Sequence, residues 1–138
     1  MKMKIHLILH IIMIKNMTED NINKLVKRFP CILRENFYIE CDDGWYDIIY
    51  NLCRDIQHEV NNSGCLQVEA RQIKEKFASL RFYYSGGNEV VDAIVNKYEK
   101  MSHNVCEISG DKGVLTVKNG WYKTLSTKMA KELGFATE

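Results

Sequence analysis

Between residues 45 and 60 the chain repeats apolar side chains at the spacing of a helix. Trp45, Ile48, Ile49, Leu52, Cys53, Ile56 and Val60 form one continuous stripe, with Asp47, Asn51, Arg54, Asp55 and His58 on the opposite, wet side. A helix with a stripe this wide is stable only when another layer covers it, so the flanking segments must supply a packing surface. Asp42-Asp43-Gly44 gives a turn and an N-cap ahead of the helix, and Asn61-Asn62-Ser63-Gly64 stops it.

The surface that follows reads as sheet. Leu66, Val68 and Ala70 alternate with Gln67, Glu69 and Arg71, and Leu80, Phe82 and Tyr84 alternate with Arg81 and Tyr83. Lys74-Glu75-Lys76-Phe77 is read as the connection, and so short a link predicts an antiparallel pair. Phe37, Ile39 and Cys41 also alternate, which allows a short extended stretch. Two further helices are predicted. One starts at Thr18 with the stripe Ile22, Leu25, Val26 and Phe29 and ends before Pro30; the other follows Ser85-Gly86-Gly87-Asn88 with Val91, Ile94, Val95, Tyr98 and Met101. A hairpin (Val114–Val117, Gly120–Tyr122) and a short helix from Ser126 to Leu133 close the chain. The expected fold class is α+β: a small antiparallel sheet packed with three to four helices, plus a C-terminal knuckle–hairpin–helix unit at 104–133.

With 138 residues, 46% of them hydrophobic, the chain has apolar material for one core. Residues 17–138 are read as a single domain. The apolar run from Ile5 to Ile14 is broken by His6 and His10 and falls short of the ~20 residues that a membrane-spanning helix needs. Lys2 and Lys4 resemble the start of a signal peptide, but no small-residue cleavage site follows. Met17 precedes the capping residue Thr18, so residues 1–16 are expected to be a leader or upstream extension dispensable for folding. The five cysteines are odd in number and irregularly spaced, which predicts free thiols and a cytoplasmic setting, without membrane association. A net charge of +1 excludes non-specific attraction of nucleic acid by the surface as a whole.

Cys106-Glu107-Ile108-Ser109-Gly110 has the outline of a zinc knuckle, in which two cysteines two residues apart reach one metal and a glycine permits the turn. The second position here is Ser109. A treble-clef arrangement would place the other ligands at Ser126 and Met129. A neutral hydroxyl does not replace a thiolate, so Cys106 is the one residual ligand and the unit is expected to hold no metal, packed instead beneath Trp121.

Several motifs resemble a group of small uncharacterised proteins of bacteriophages and prophages. They are Asp43-Gly44-Trp45-Tyr46-Asp47, Lys74-Glu75-Lys76-Phe77, Leu80-Arg81-Phe82-Tyr83-Tyr84, the Cys106–Gly110 knuckle, and Trp121-Tyr122-Lys123-Thr124-Leu125. The resemblance spans most of the chain from Phe37 to Met129. In that group the knuckle often carries both cysteines, and the last ligand pair is cysteine then histidine. This chain departs from that pattern at Ser109, Ser126 and Met129, and at Ala78-Ser79, where two glycines are frequent. The resemblance implies viral origin but transfers no activity.

Three constellations remain. Glu40, Asp42, Asp43 and Asp47 could bind Mg²⁺ or transfer protons, but carboxylates before a helix more commonly cap it. His103 and Cys106 lie close in sequence without an orienting acid. Lys74, Lys76, Arg81, Tyr83 and Tyr84 interleave cations with aromatic rings, a pattern that can hold a single strand, but a solvated sheet face beside core aromatics is the more common origin of such a stretch. No cofactor is expected. The function expected is an accessory role without catalysis, binding a host or viral macromolecule through Lys76, Arg81 and Tyr83. A protein partner is expected. The rivals are a nucleic-acid-binding module using residues 74–84 and a small metal-dependent hydrolase or nuclease using Asp42, Asp43 or His103.

Overall fold

A computed structural model describes residues 17–137. The reading of residues 1–16 as a dispensable leader lies outside the described residues. Helix α1 spans Glu19–Arg28, with the Thr18 hydroxyl accepting the Asn21 N–H at its start. Strand β1 (Tyr38–Glu40) leads through a 3₁₀ turn (Asp43–Trp45) into the long helix α2 (Tyr46–Ser63). The hairpin β2 (Leu66–Lys76) and β3 (Ser79–Gly87) follows, then α3 (Glu89–Met101), capped by the Asn88 side chain on Val91 N–H. A second 3₁₀ turn (Ser102–Asn104) leads to β4 (Val114–Lys118), β5 (Trp121–Leu125), α4 (Thr127–Leu133) and β6 (Ala136–Thr137).

The class is α+β, with two sheets rather than one. The first has the order β1-β2-β3, with β2 and β3 antiparallel as expected and β1 parallel to β2. The second, β5-β4-β6, is antiparallel throughout and includes a C-terminal strand too short to be read from sequence. Helices α2 and α3 cover one face of the first sheet. The α2 stripe is buried along its length, packed with Val68, Ile73, Leu80, Phe82, Val91 and Val95. A smaller cluster of Cys106, Leu125, Ala130 and Phe135 holds the C-terminal unit.

Four sequence expectations are corrected. Lys74–Lys76 belong to β2, and the connection is only Phe77-Ala78, both in the left-handed region (φ 49° and 69°). Leu66 is exposed at the end of the ladder, opposite Gly87 and beside a register shift between Leu66 and Glu69; a second shift, between Ala70 and Gln72, moves the buried parity from Ala70 to Ile73. Asp42 and Asp43 do not cap α2. The intervening 3₁₀ turn directs Asp43 to α1, where its carboxylate accepts the Thr18 N–H, the Thr18 hydroxyl and the Asn21 amide. Trp121 does not cover the knuckle, since it sits at the outer end of β5 and is 51% exposed.

The two sheets meet along one seam. Gly44 N–H donates to the Glu107 carbonyl at 2.7 Å, Trp45 Nε1 to the Val105 carbonyl at 2.8 Å, and Thr124 Oγ1 to the Ala78 carbonyl at 2.7 Å. A Cβ on residue 44 would lie 2.2 Å from the Cys106 carbonyl oxygen, so only glycine admits this approach. All five cysteines are unpaired, with Cys41, Cys53 and Cys106 buried. Among the described residues no helix is long and apolar enough to cross a membrane.

Candidate binding face

The face of the first sheet that α2 and α3 leave uncovered follows from strand parity. Ile39, Ile73 and Phe82 pair across β1, β2 and β3 and point into the core. Their neighbours therefore point outward in two rows: Tyr38–Gln72–Tyr83, and Glu40–Lys74–Arg81. Tyr38 is 67% exposed and Tyr83 45%. Lys76, opposite Ser79, continues the outward series on β2. The predicted residues Lys76, Arg81 and Tyr83 thus belong to one hairpin surface and are exposed. Tyr84 does not join them, as it lies on the opposite parity and hydrogen-bonds Asp92 on α3.

Lys74 lies directly opposite Arg81, a cross-strand pairing of like charges that costs stability. Among the described residues neither has a carboxylate within 4.0 Å, and the same holds for Lys76, whose ammonium stands 5.9 Å from the Phe77 ring centroid. Three cations without an ion pair thus gather where the sheet is open, with the Glu40 carboxylate in register beside Lys74.

Beyond Lys76 the face runs into a hollow of about 380 Å³ lined by Lys74, Glu75, Lys76, Phe77, Gly120, Trp121 and Tyr122. It lies between the tips of the two hairpins. Phe77 is 76% exposed in the left-handed region, an uncommon combination for a bulky residue. Tyr38, Phe77, Trp121 and Tyr122 were not singled out as binding residues from sequence. Tyr38 was within reach: the alternation of Phe37, Ile39 and Cys41 places it on the opposite face. The meeting of Phe77 with Trp121 was not, because it joins hairpins some 45 residues apart in the chain.

A buried ionic cluster fixes this end of the molecule. Lys123 Nζ lies 3.0 Å from Glu107 Oε1 and 3.4 Å from Glu75 Oε1, and Glu107 Oε2 accepts the Asp42 N–H at 3.1 Å. Burial alone would lower the Lys123 ammonium, but Glu107 and then Glu75 hold it above its usual range. Glu107 is pushed up by burial against the opposing pull of Lys123. Glu75 also accepts the Ala78 N–H at 2.8 Å, so the cluster positions the strained turn that presents Phe77. Sequence reading missed this cluster because its members sit at four distant places in the chain.

Several of the catalytic and metal candidates have local structural roles. Asp43 serves α1. His103 is exposed on its 3₁₀ turn, whereas Cys106 is buried. Burial raises the Cys106 thiol, but bonds from Ser109 and the backbone around it outweigh this and leave it below its usual range; the Ser109 N–H is 3.4 Å from the sulfur. The Ser126 hydroxyl caps α4 by accepting the Met129 N–H, and the Ser109 hydroxyl accepts the Asp111 N–H. Among the described residues no group of three or more His, Cys, Asp or Glu side chains is placed to hold a metal ion.

No family model matches the chain, and neither a curated protein nor a solved structure is found to be similar to it.

Proposed function

We propose that this protein binds a macromolecule without catalysis, as an accessory protein of a bacteriophage or prophage, with the outer face of the β1-β2-β3 sheet as its recognition surface. The observation that carries this reading is the gathering of Tyr38, Tyr83, Lys74, Lys76 and Arg81 on one uncovered face, where three cations outnumber the one carboxylate of the same rows, Glu40. A ligand that neutralised the cations and covered the rings would find both contacts on this face, and an arginine beside an exposed tyrosine is a pairing enriched among binding hot spots. The resemblance of the Asp43–Asp47 and Leu80–Tyr84 motifs to phage proteins supports the biological setting.

The double substitution Arg81→Ala, Tyr83→Ala tests the surface. It is expected to leave the melting temperature within about 2 °C, since outward strand positions contribute little to packing. It should weaken at least tenfold whatever partner the wild-type protein retains from its native host. A variant that folds and binds at full strength would place the recognition surface elsewhere.

A further inference from the structure

From the chemistry of this face we infer that its partner is a single-stranded nucleic acid, held by ring stacking on Tyr38 and Tyr83 and by phosphate contacts to Lys74, Lys76 and Arg81. The inference rests on the binding role proposed above and gives that role a ligand class. Three features favour it over an acidic protein segment.

The first is the alternation of chemistry across the surface. An aromatic row comes first (Tyr38, Gln72, Tyr83), then a row in which two cations outnumber one carboxylate (Glu40, Lys74, Arg81), then Lys76 with a second aromatic group, Phe77, Trp121 and Tyr122, around the hollow. Successive rows on one strand face lie about 6.7 Å apart, and the two outer strands stand about 9–10 Å apart across β2. Bases and phosphates alternate along a single strand in the same way, whereas an acidic peptide would use the cations and leave most of the rings uncovered. Every base offers a π-face, so exposed tyrosines on a sheet can stack bases without regard to sequence.

The second is Gln72. It stands between Tyr38 and Tyr83 and carries both a donor and an acceptor, which a base edge placed between two stacked neighbours can use. The third is that the features occupy the face of the sheet and not its edge. Peptides that augment a sheet pair with an edge strand through backbone bonds, which would leave this face unused.

The balanced total charge fixes the character of the interaction. With three phosphate contacts, the logarithm of affinity should fall against the logarithm of salt concentration with a slope of about −2. A protein relying on charge alone would need many more cations; here the rings must supply much of the affinity.

The test uses the full chain and fluorescence anisotropy with three labelled probes: a 12-nucleotide deoxythymidine strand, the same strand annealed into a duplex, and a 12-residue polyglutamate peptide. The single strand should bind more tightly than the duplex or the peptide, with a salt slope near −2. Tyr38→Thr and Tyr83→Thr, which remove a ring yet suit a strand, should each weaken single-strand binding by about 5- to 150-fold. Arg81→Gln should reduce the salt slope by about 0.7. Tyr83→Phe should keep most of the affinity, because it retains the ring. Melting curves of all variants should match the wild type.

If the peptide binds, the single strand does not, and the same variants abolish peptide binding, the nucleic-acid inference falls while the binding role of the face stands. If the single strand binds and none of the face variants affects it, the inference falls because the site is elsewhere, and the proposed surface falls with it. If no strand binds and the Arg81→Ala, Tyr83→Ala protein still retains the native partner, both fail.

Discussion

Trp45 works at two levels at once. Its ring is fully buried at the head of α2, and its indole N–H closes a bond to Val105 from the other end of the molecule. Trp45→Ala should cost about 3–5 kcal/mol, read from denaturant unfolding; a loss under about 1 kcal/mol would mean the ring is not a core anchor. The burial was legible from its place at the start of the stripe, while the bond to a carbonyl 60 residues away was not. Asp42 offers a second test at this scale. Burial first, then Glu107, pushes its carboxyl from the ordinary 3.8 up to about 7. The folded state therefore holds this proton more tightly than the unfolded chain. Ionisation of Asp42 removes stability progressively as pH rises from about 4 to 7, and the loss is complete above that. Asp42→Asn cannot ionise, so its melting temperature relative to wild type should rise between pH 5 and pH 8. A difference that stays constant over this range would show that Asp42 is not held neutral.

Among the elements, the β2–β3 turn is the one in which local preference and observed structure disagree most. Two residues with positive φ are the pattern that Asn-Gly satisfies, yet the chain places Phe77-Ala78 there. A residue with a Cβ held in the left-handed region costs about 1–2 kcal/mol, and the exposed Phe77 ring recovers little of it by packing. Phe77→Asn should therefore raise the melting temperature by about 3–4 °C. It should also weaken any ligand that occupies the hollow beside Trp121, the pattern expected where strain is kept for use. A fall in melting temperature would instead show that the ring is structural. The same turn illustrates what sequence could and could not reveal. Helices α1 and α3 were legible because periodicity and N-caps agreed over ten or more residues, and α2 because its stripe and its terminal Gly64 did, although its expected N-cap serves α1 instead. The end of β2 was not, because the shift near Arg71 breaks the alternation and the charged run Lys74–Lys76 imitates a loop. Arg81 and Tyr83 were placed correctly on the outer face, since β3 alternates without interruption from Leu80 to Tyr84.

For the whole molecule, cohesion depends on the seam where the two sheets meet and on the ions buried in it. Among the described residues Lys123 is the one buried cation, facing Glu107 and Glu75 from different segments. Lys123→Met should destabilise by about 3–5 kcal/mol, because it leaves two carboxylates uncompensated. The deficit should shrink as pH falls from 8 to 5. Glu107 is already pushed upward by burial, and without Lys123 it can be relieved by taking up a proton. Adding Glu107→Gln to Lys123→Met should recover part of the loss at pH 8, and a deficit independent of pH and of residue 107 would show that the pair does not clamp the sheets. The seam also has a consequence in time. Gly44, Trp45 and Asp42 all bond to residues 105–107, so during synthesis the corner before α2 waits for some 60 further residues before its partners exist. At about 5–20 residues per second, that interval is on the order of 3–12 s. Through it the backbone groups of the corner face water and the indole of Trp45 lacks its cover, so the nascent chain is most vulnerable to wrong association just before the knuckle emerges.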